Sequence, residues 1–262
     1  MLARHGAFSS EVRNNNHIPA NFAEPFRRLI LPYLTPMEVE TIRARLRPLV
    51  SPSAPPASLH VGYLPDAVVL AAALNMPDLL AQIVSAIPAE YYKGGNSYYH
   101  RPQELVFGLG SAEEVRSEMR RISAPLLFQE HITAWLACTE FADLDLIADA
   151  IINQSNRDEA AKLMRPLLGV HAVDVVPIMF RLMLESKASA QARQWLTDHP
   201  AHAIAGAVRL AAGRGKIAEA AMEFITESAA RGQRPLIEAA LKGLPPEQSA
   251  LVAEAALAEA AV

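Results

Sequence analysis

The chain has little cysteine and no long apolar run. Cys138 is the single cysteine, so an internal disulfide framework and a cysteine-based zinc site are excluded, and a reducing compartment is expected. No apolar run reaches the roughly 18 residues that cross a bilayer. Residues 1–17 lack the continuous apolar core of a signal peptide. We therefore expect a cytoplasmic protein without a membrane partner.

The chain also lacks a surplus of positive charge. Its formal net charge is −4, which disfavours general binding to the phosphates of nucleic acid. The mildly basic stretch is residues 1–50, with seven arginines against four glutamates. That pattern favours a solvated helix face. The alternative is a nucleic-acid-binding surface formed by Arg27, Arg28, Arg43, Arg45 and Arg47.

Hydrophobic residues make up 51% of the chain and recur at steps of three and four. From Lys216 to Arg231, for example, Ile217, Ala221 and Ile225 share one helical face. The stretch from Ala172 to Glu185 is apolar nearly all round, which predicts a helix covered on two sides. No stretch alternates with period two, so we predict an all-α fold. Short connections between many helices favour a HEAT-like helical repeat stack, an α-solenoid, over the alternative of a globular multi-helix bundle.

Capping signals mark several helix starts. Thr35 with Glu38 predicts a capping box, and Ser111 with Glu114 predicts a second one. The motif from Ser155 to Asp158 predicts a third cap. Each cap satisfies backbone N–H groups that the first turn of a helix leaves free.

A run of prolines and serines over residues 48–58 cannot continue a helix, because each proline removes a hydrogen-bond donor. This run is the best linker candidate in the chain. We therefore expect an N-terminal helical segment with a Pro-rich linker over residues 1–60. A helical-repeat domain is expected over residues 61–262.

Four of the six tyrosines fall within residues 91–99, in a stretch that interrupts the helical pattern. Tyrosine buries a large area at low entropic cost and is favoured at binding surfaces. The alternative is that these rings seal one end of the helical stack. The candidate binding residues are Tyr91, Tyr92, Tyr98, Tyr99, His100 and Arg101.

Other possible sites have simpler explanations. His199 and His202 have the spacing of metal ligands but no third ligand, so a role in a helix turn is favoured. The GRGK sequence at residues 213–216 is too short for a phosphate loop and follows no strand. Cys138 lies two helical turns from His131, too far for a hydrogen bond. We interpret the cysteine as a buried, inert thiol.

Three carboxylates, Asp143, Asp145 and Asp149, crowd near one predicted helix start. The positive end of a helix dipole explains this without a metal ion. The HExxH, GxSxG and Rossmann fingerprints are absent from the sequence. We therefore expect no catalytic residue, no metal and no cofactor.

Two stretches, Ala134 to Ile151 and Arg181 to Ile225, resemble the helical-repeat region of large bacterial proteins similar to the molybdate metabolism regulator. Those proteins often join a WGR domain, helical repeats and a C-terminal domain of uncharacterised function. The resemblance covers about half of the chain and implies a HEAT-like scaffold, although the chain has no WGR motif. The matching positions are Trp135, Ser186, Lys187, Ala192 to Leu196, Pro200, Gly206 and Gly213 to Lys216.

These observations predict a non-enzymatic scaffold that binds another protein through its concave surface or through the tyrosine stretch. A helical enzyme or small-ligand-binding protein with a pocket near residues 91–101 is the first alternative. A nucleic-acid-binding solenoid is the second. The sequence does not identify the partner protein.

Trp195 gives a direct test of the helical packing. Its ring is expected to fill the gap that small residues such as Ala192 leave between helices. Replacing Trp195 by alanine should therefore cost about 3–5 kcal/mol of unfolding free energy. A thermal melt measures this, and a midpoint unchanged by the substitution would show that Trp195 lies outside the core.

Overall fold

A computed structural model describes residues 23–49, 66–93 and 103–257 of the chain. Within these residues the regular secondary structure is entirely helical, which confirms the all-α fold. Short 3₁₀ turns at Leu31–Tyr33, Arg47–Leu49 and Val173–Val175 join some of the α-helices. The α-helices are α1 (Ala23–Leu29), α2 (Pro36–Leu46), α3 (Asp66–Ala73), α4 (Pro77–Ser85), α5 (Gln103–Val106), α6 (Ala112–Arg121), α7 (Gln129–Thr139), α8 (Asp145–Ile152), α9 (Arg157–Leu168), α10 (Val176–Glu185), α11 (Ser189–Asp198), α12 (Pro200–Ala211), α13 (Lys216–Ala230), α14 (Arg234–Leu241) and α15 (Pro246–Leu257).

Two of the three predicted caps are in place. The Thr35 hydroxyl accepts from the Glu38 amide at 3.3 Å, and the Glu38 carboxylate accepts from the Thr35 amide at 2.8 Å. The backbone hydrogen bond from Thr35 lowers the pKa of Glu38. At the start of α6 the Ser111 hydroxyl accepts from the Glu114 amide at 3.2 Å. Both hydroxyls satisfy first-turn donors, as the sequence predicted, but only Thr35 and Glu38 form the reciprocal capping box. The Glu114 carboxylate instead accepts from the Ser111 hydroxyl at 2.9 Å.

The third cap lies one residue later than the serine that opens the predicted motif. Asn156 is the N-cap of α9, and its side-chain oxygen accepts from the Glu159 amide at 2.9 Å. Ser155 instead offers its backbone carbonyl to the Lys187 ammonium group. Asparagine and serine are equally good caps, so local sequence alone did not choose between them.

The chain forms two compact units. The N-terminal unit takes the described residues as far as Leu126 together with Ala134–Glu140. The C-terminal unit takes Leu127–Thr133 and the residues from Phe141 onward. The boundary expected near residue 60 falls in 50–65, outside the described residues, and stays a prediction.

Helix α3 is the centre of the N-terminal unit. It packs against α1, α2, α4 and α5, and the residues at its C-terminal end, from Ala71 to Leu74, are all buried. Three alanines in succession let neighbouring helices approach closely, since they place no long side chain between the helix backbones. Larger side chains from α4, such as Leu80, fill the remaining space.

Helix α10 is the centre of the C-terminal unit. It packs against α8, α11, α12 and α13, which confirms the expectation that this helix is covered on more than one side. Val176, Met179, Phe180 and Leu182 are all buried. The Phe180 ring meets the Phe224 ring of α13 edge-on, with ring centroids 5.7 Å apart. Most of the apolar side chains of α10 are therefore used in packing, whereas Leu184 is 43% exposed.

The junction of α11 and α12 follows the sequence prediction. His199 ends α11 and Pro200 begins α12. Trp195 is 2% exposed, so the prediction that it lies in the core is confirmed. Gly215, in the GRGK turn, has φ +92° and precedes α13. Glycine adopts that backbone conformation without strain, which explains the turn without a bound phosphate.

Gly206 sets how closely α12 can approach α10. A Cβ atom at this position would lie 2.5 Å from Val176 Cβ and under 3 Å from both of its methyl groups. That contact is far shorter than van der Waals distance. Helices α10 and α12 can therefore pack this closely only with glycine at position 206.

We predict that Gly206→Ala destabilises the C-terminal unit by about 1–3 kcal/mol, because overpacking outweighs the gain in helix propensity. The matched control is Gly169→Ala, whose added Cβ would meet only the Pro166 carbonyl oxygen, at 3.6 Å. Chemical unfolding followed by circular dichroism measures both. Adding Val176→Ala to Gly206→Ala should recover part of the loss. Equal stability of Gly206→Ala and wild type would contradict the close contact.

Candidate functional site

The described part of the tyrosine stretch begins in a turn that follows α4. Tyr91 is 3% exposed, and this burial raises the pKa of its phenol. Its ring meets the Tyr92 ring edge-on, with ring centroids 5.4 Å apart. Tyr91 is therefore a core residue of the N-terminal unit, and its ring is not presented to solvent.

Tyr92 ties the start of the tyrosine stretch to its end. Its hydroxyl donates to Gln103 Oε1 at 2.6 Å, and Gln103 Nε2 donates to the Pro125 carbonyl at 2.9 Å. Gln103 is fully buried, and an amide at such a site is costly unless it is hydrogen-bonded. Tyr92 and Gln103, which flank residues 93–102, are thus joined by a hydrogen bond. We call this group of Tyr92, Gln103 and the Pro125 carbonyl the base of the tyrosine stretch.

The same base is joined to the C-terminal end of α6. The Glu90 amide donates to the Arg121 carbonyl at 2.8 Å, and the Tyr92 amide donates to the Ile122 carbonyl at 3.2 Å. In return, the Arg121 guanidinium reaches the end of α4. It donates there at 2.8 Å and 2.5 Å to the carbonyls of Val84 and Ile87.

The structure therefore describes two of the six candidate binding residues, and both anchor the stretch. Tyr91 packs in the core, and Tyr92 makes the hydrogen bond to Gln103 that joins the two ends of residues 93–102. The other four, Tyr98, Tyr99, His100 and Arg101, lie outside the described residues. A binding surface at those four positions stays a prediction.

Two of the five N-terminal arginines cap the end of α3. Arg27 Nη2 donates to the Ala72 carbonyl at 2.6 Å, and Arg27 Nε donates to the Ala73 carbonyl at 3.4 Å. Arg43 donates from two nitrogens to the Leu74 carbonyl, at 3.0 and 2.6 Å. A cation at this end also complements the negative end of the helix dipole.

Arg47 pairs with Asp78 of α4 at 2.6 Å. This hydrogen bond raises the pKa of Arg47 and lowers that of Asp78. Arg43 and Arg47 line an open cleft of about 260 Å³ between α2 and the turn from α3 to α4. Since both guanidinium groups are engaged within the chain, the cleft does not offer a free cationic site for phosphate.

His199 lies at the junction of α11 and α12, the helix-turn position that the sequence favoured over a metal site shared with His202. His199 stacks on Trp195, with ring centroids 4.8 Å apart, and its Nδ1 lies 2.9 Å from the Trp195 carbonyl. Because a carbonyl only accepts, Nδ1 is the donor. The His199 ring also lies against the His171 ring, with ring centroids 4.3 Å apart. Among the described residues, no three His, Cys, Asp or Glu side chains are placed to hold one metal ion.

The clustered carboxylates of α8 have a partner that sequence reasoning missed. Arg181 of α10 contacts Asp149 at 2.6 Å and Asp145 at 3.3 Å, and it also contacts Glu185 of its own helix at 3.2 Å. Burial lowers the pKa of Arg181, but the hydrogen bonds and charges of Asp149 and Glu185 outweigh this and raise it. The sequence did contain a signal of this cluster, because Asp145 and Asp149 on α8 are four residues apart and so are Arg181 and Glu185 on α10.

Cys138 is half-buried, and its Sγ lies 3.8 Å from the Phe107 carbonyl. Burial raises the pKa of the thiol, although the charge of Arg27 acts in the opposite direction. The thiolate is the nucleophilic form of cysteine. This environment therefore disfavours the thiolate at Cys138. The sequence predicted a buried thiol, whereas the side chain is only half-buried, and its inertness stays a prediction.

Comparison of the chain with protein-family models, characterised proteins and solved structures finds no match. The resemblance to the molybdate regulator-like repeat region is therefore neither supported nor contradicted. None of the described helices combines the length and the apolar character needed to cross a bilayer.

We predict that Arg43→Met destabilises the N-terminal unit by about 1–2 kcal/mol, because it removes a charged cap and leaves the Leu74 carbonyl without that donor. Methionine keeps the apolar stem of the side chain. Arg45→Met is the matched control, since Arg45 is exposed on the same helix. A urea titration followed by circular dichroism measures both. Equal effects of the two substitutions would contradict the capping role.

Proposed function

We propose that this chain is a non-enzymatic helical-repeat scaffold that binds another protein. The arrangement of the C-terminal unit supports the repeat part of the proposal. Helix α10 packs on α8, α12 packs on α10, and α14 packs on α12. Helix α13 likewise packs on α12, and α15 packs on α13. Contacts with the next helix and the next but one are typical of stacked helix pairs, and α10 in addition reaches α13.

The closed base of the tyrosine stretch is the observation that carries the binding part of the proposal. Tyr92 and Gln103 hold the two ends of residues 93–102 together. Fixing the ends of a binding segment lowers the entropy that is lost when a partner orders it. Tyr98 and Tyr99 would then supply rigid aromatic area, and Arg101 a planar cation.

The engagement of the arginines argues against the nucleic-acid alternative. Arg27 and Arg43 are bound to carbonyls of α3, and Arg47 is bound to Asp78. These bonds would have to break before the guanidinium groups could neutralise phosphates. A half-buried thiol suits a reducing compartment, and we place the scaffold in the cytoplasm.

The resemblance found in the sequence gives further support to a helical-repeat scaffold. A HEAT-like stack in the C-terminal unit is the architecture that the resemblance to molybdate regulator-like proteins implies. Trp195, Pro200 and Gly206 are among the positions that carry the resemblance, and in this structure all three shape helix packing or helix ends. The resemblance therefore concerns the scaffold itself and brings no catalytic residue with it.

We predict that replacing Tyr98 and Tyr99 by alanine weakens binding to the partner protein by about tenfold or more, since aromatic anchors carry much of the energy of such interfaces. Affinity capture with the wild-type chain should return one defined protein, and calorimetry with that purified protein then measures the binding. Phe141→Ala, at an exposed aromatic in the C-terminal unit, is the matched control.

Three outcomes would contradict this proposal. Equal affinity of the tyrosine variant and wild type would remove the tyrosine stretch from the interface. A small molecule or metal retained stoichiometrically through purification would favour the enzyme or ligand-binding alternative. Retention on DNA that falls with salt and is lost in an Arg43→Met, Arg45→Met variant would favour the nucleic-acid alternative.

A further inference from the structure

Residues 29–37 form an uncharged surface where α1 turns into α2. Their sequence, LILPYLTPM, contains no charged side chain, and none of these residues is buried. Leu29 is 59% exposed, Ile30 42%, Tyr33 84% and Met37 77%. Exposed apolar residues that stand singly are ordinary, but a group of them within one short stretch marks an interaction surface. We call residues 29–37 the apolar corner.

Hydrogen bonds and prolines restrict the backbone of the apolar corner. The Tyr33 amide donates to the Ile30 carbonyl at 3.0 Å, and the capping box at Thr35 fixes the start of α2. Pro32 and Pro36 restrict the chain further, because a proline ring holds φ near one value. A surface fixed in this way loses little conformational entropy when a partner covers it.

The charges beside the apolar corner are engaged within the chain. Arg27 is bound to carbonyls of α3, and Arg28 also interacts within the chain. On the other side, Glu38 takes part in the capping box of α2, and Glu40 is paired with Arg43. The apolar corner therefore has no electrostatic preference for an acidic or a basic partner, and two copies of it bring no free like charges together.

The area of the apolar corner is sufficient for a small symmetric interface. A residue of this size exposes roughly 200 Å² when it is fully accessible, so Leu29, Ile30, Tyr33 and Met37 together expose about 500 Å² per copy. Two such surfaces packed on each other would bury about 1,000 Å² in total, which is the lower limit for a specific interface. Pro32 is exposed beside them and adds to this area.

We propose that the apolar corner docks on the apolar corner of a second copy of the chain and forms a two-fold symmetric dimer. An isologous contact of this kind needs only one surface, which each copy supplies. No other surface of the described residues matches it, because the remaining exposed large apolar side chains stand far apart in the sequence. These are Leu49, Phe141, Leu184, Leu236 and Leu251.

This self-association is separate from the scaffold function proposed above. It uses no residue of the tyrosine stretch, and it requires no partner protein. Its failure would leave the tyrosine proposal unchanged, and the reverse also holds. Because the interface is small, the dimer should be weak and should form only as the protein concentration rises.

Sedimentation velocity with variants of opposite charge tests the proposal. The acidic variant is Tyr33→Glu with Met37→Glu, and the basic variant is Tyr33→Lys with Met37→Lys. Both positions are exposed, so the helical content measured by circular dichroism should match that of wild type. Wild type should form dimers and nothing larger. Each variant alone places like charges on both sides of the two-fold axis and should need at least about tenfold higher concentration to dimerise.

Mixing the two variants is the decisive step. Unlike charges then face each other, so an equimolar mixture should form one-to-one dimers at lower concentration than either variant alone. Salt should weaken this mixed dimer but not the wild-type dimer, since the apolar corner contains no charged side chain. Leu251→Glu, at an exposed leucine of α15, is the control and should dimerise like wild type.

Three results would overturn the symmetric contact. Wild type that stays monomeric at every concentration would show that the apolar corner is covered in some other way, by residues 1–22 of the same chain or by a different protein. Charged variants that dimerise as readily as wild type would place the dimer contact elsewhere on the chain. A mixture that associates no more tightly than the separate variants would show that the two corners do not face each other.

Discussion

The carbonyl groups at helix ends need donors, and in the N-terminal unit arginines from distant parts of the chain supply them. Arg27 and Arg43 reach the end of α3, and Arg121 reaches the end of α4. These helices are short, so their ends make up a large share of the backbone. Each arginine also fixes the helix that carries it against the helix that it caps. The central α3 and the base of the tyrosine stretch both depend on these contacts.

The C-terminal unit is held mainly by close helix packing. Gly206 lets α12 approach α10 until their side chains interlock, and Trp195 fills volume beside the same helices. The cluster around Arg181 adds a surface connection between α8 and α10. None of the described charged side chains of this unit is buried, whereas the polar side chains of His131 and Ser228 are. Hydrogen bonds from arginines to helix-end carbonyls thus hold the helices of the N-terminal unit in place. Close packing of complementary side chains holds those of the C-terminal unit.

The features that sequence reasoning predicted well are governed by local chemistry. The cap at Thr35 and the apolar helix α10 follow from residues a few positions apart, and the structure contains both. The features that it missed depend on residues far apart in the chain. Arg43 caps a carbonyl 31 positions away, and nothing near it in the sequence distinguishes it from Arg45. Tyr91 is likewise buried where the amides of Glu90 and Tyr92 bond to the end of α6, and a cluster of tyrosines in the sequence does not reveal that contact.

Hydrogen–deuterium exchange of the Arg121→Met variant tests the role of the arginine caps most directly. The account predicts faster exchange at the end of α4 and in the following turn, where the Ile87, Glu90 and Tyr92 amides are hydrogen-bonded, because the capped carbonyls lose their charged donor. Amides of α10 and α12 should exchange at the wild-type rate. Unchanged exchange around residues 86–92, or an equal increase across both units, would contradict the account.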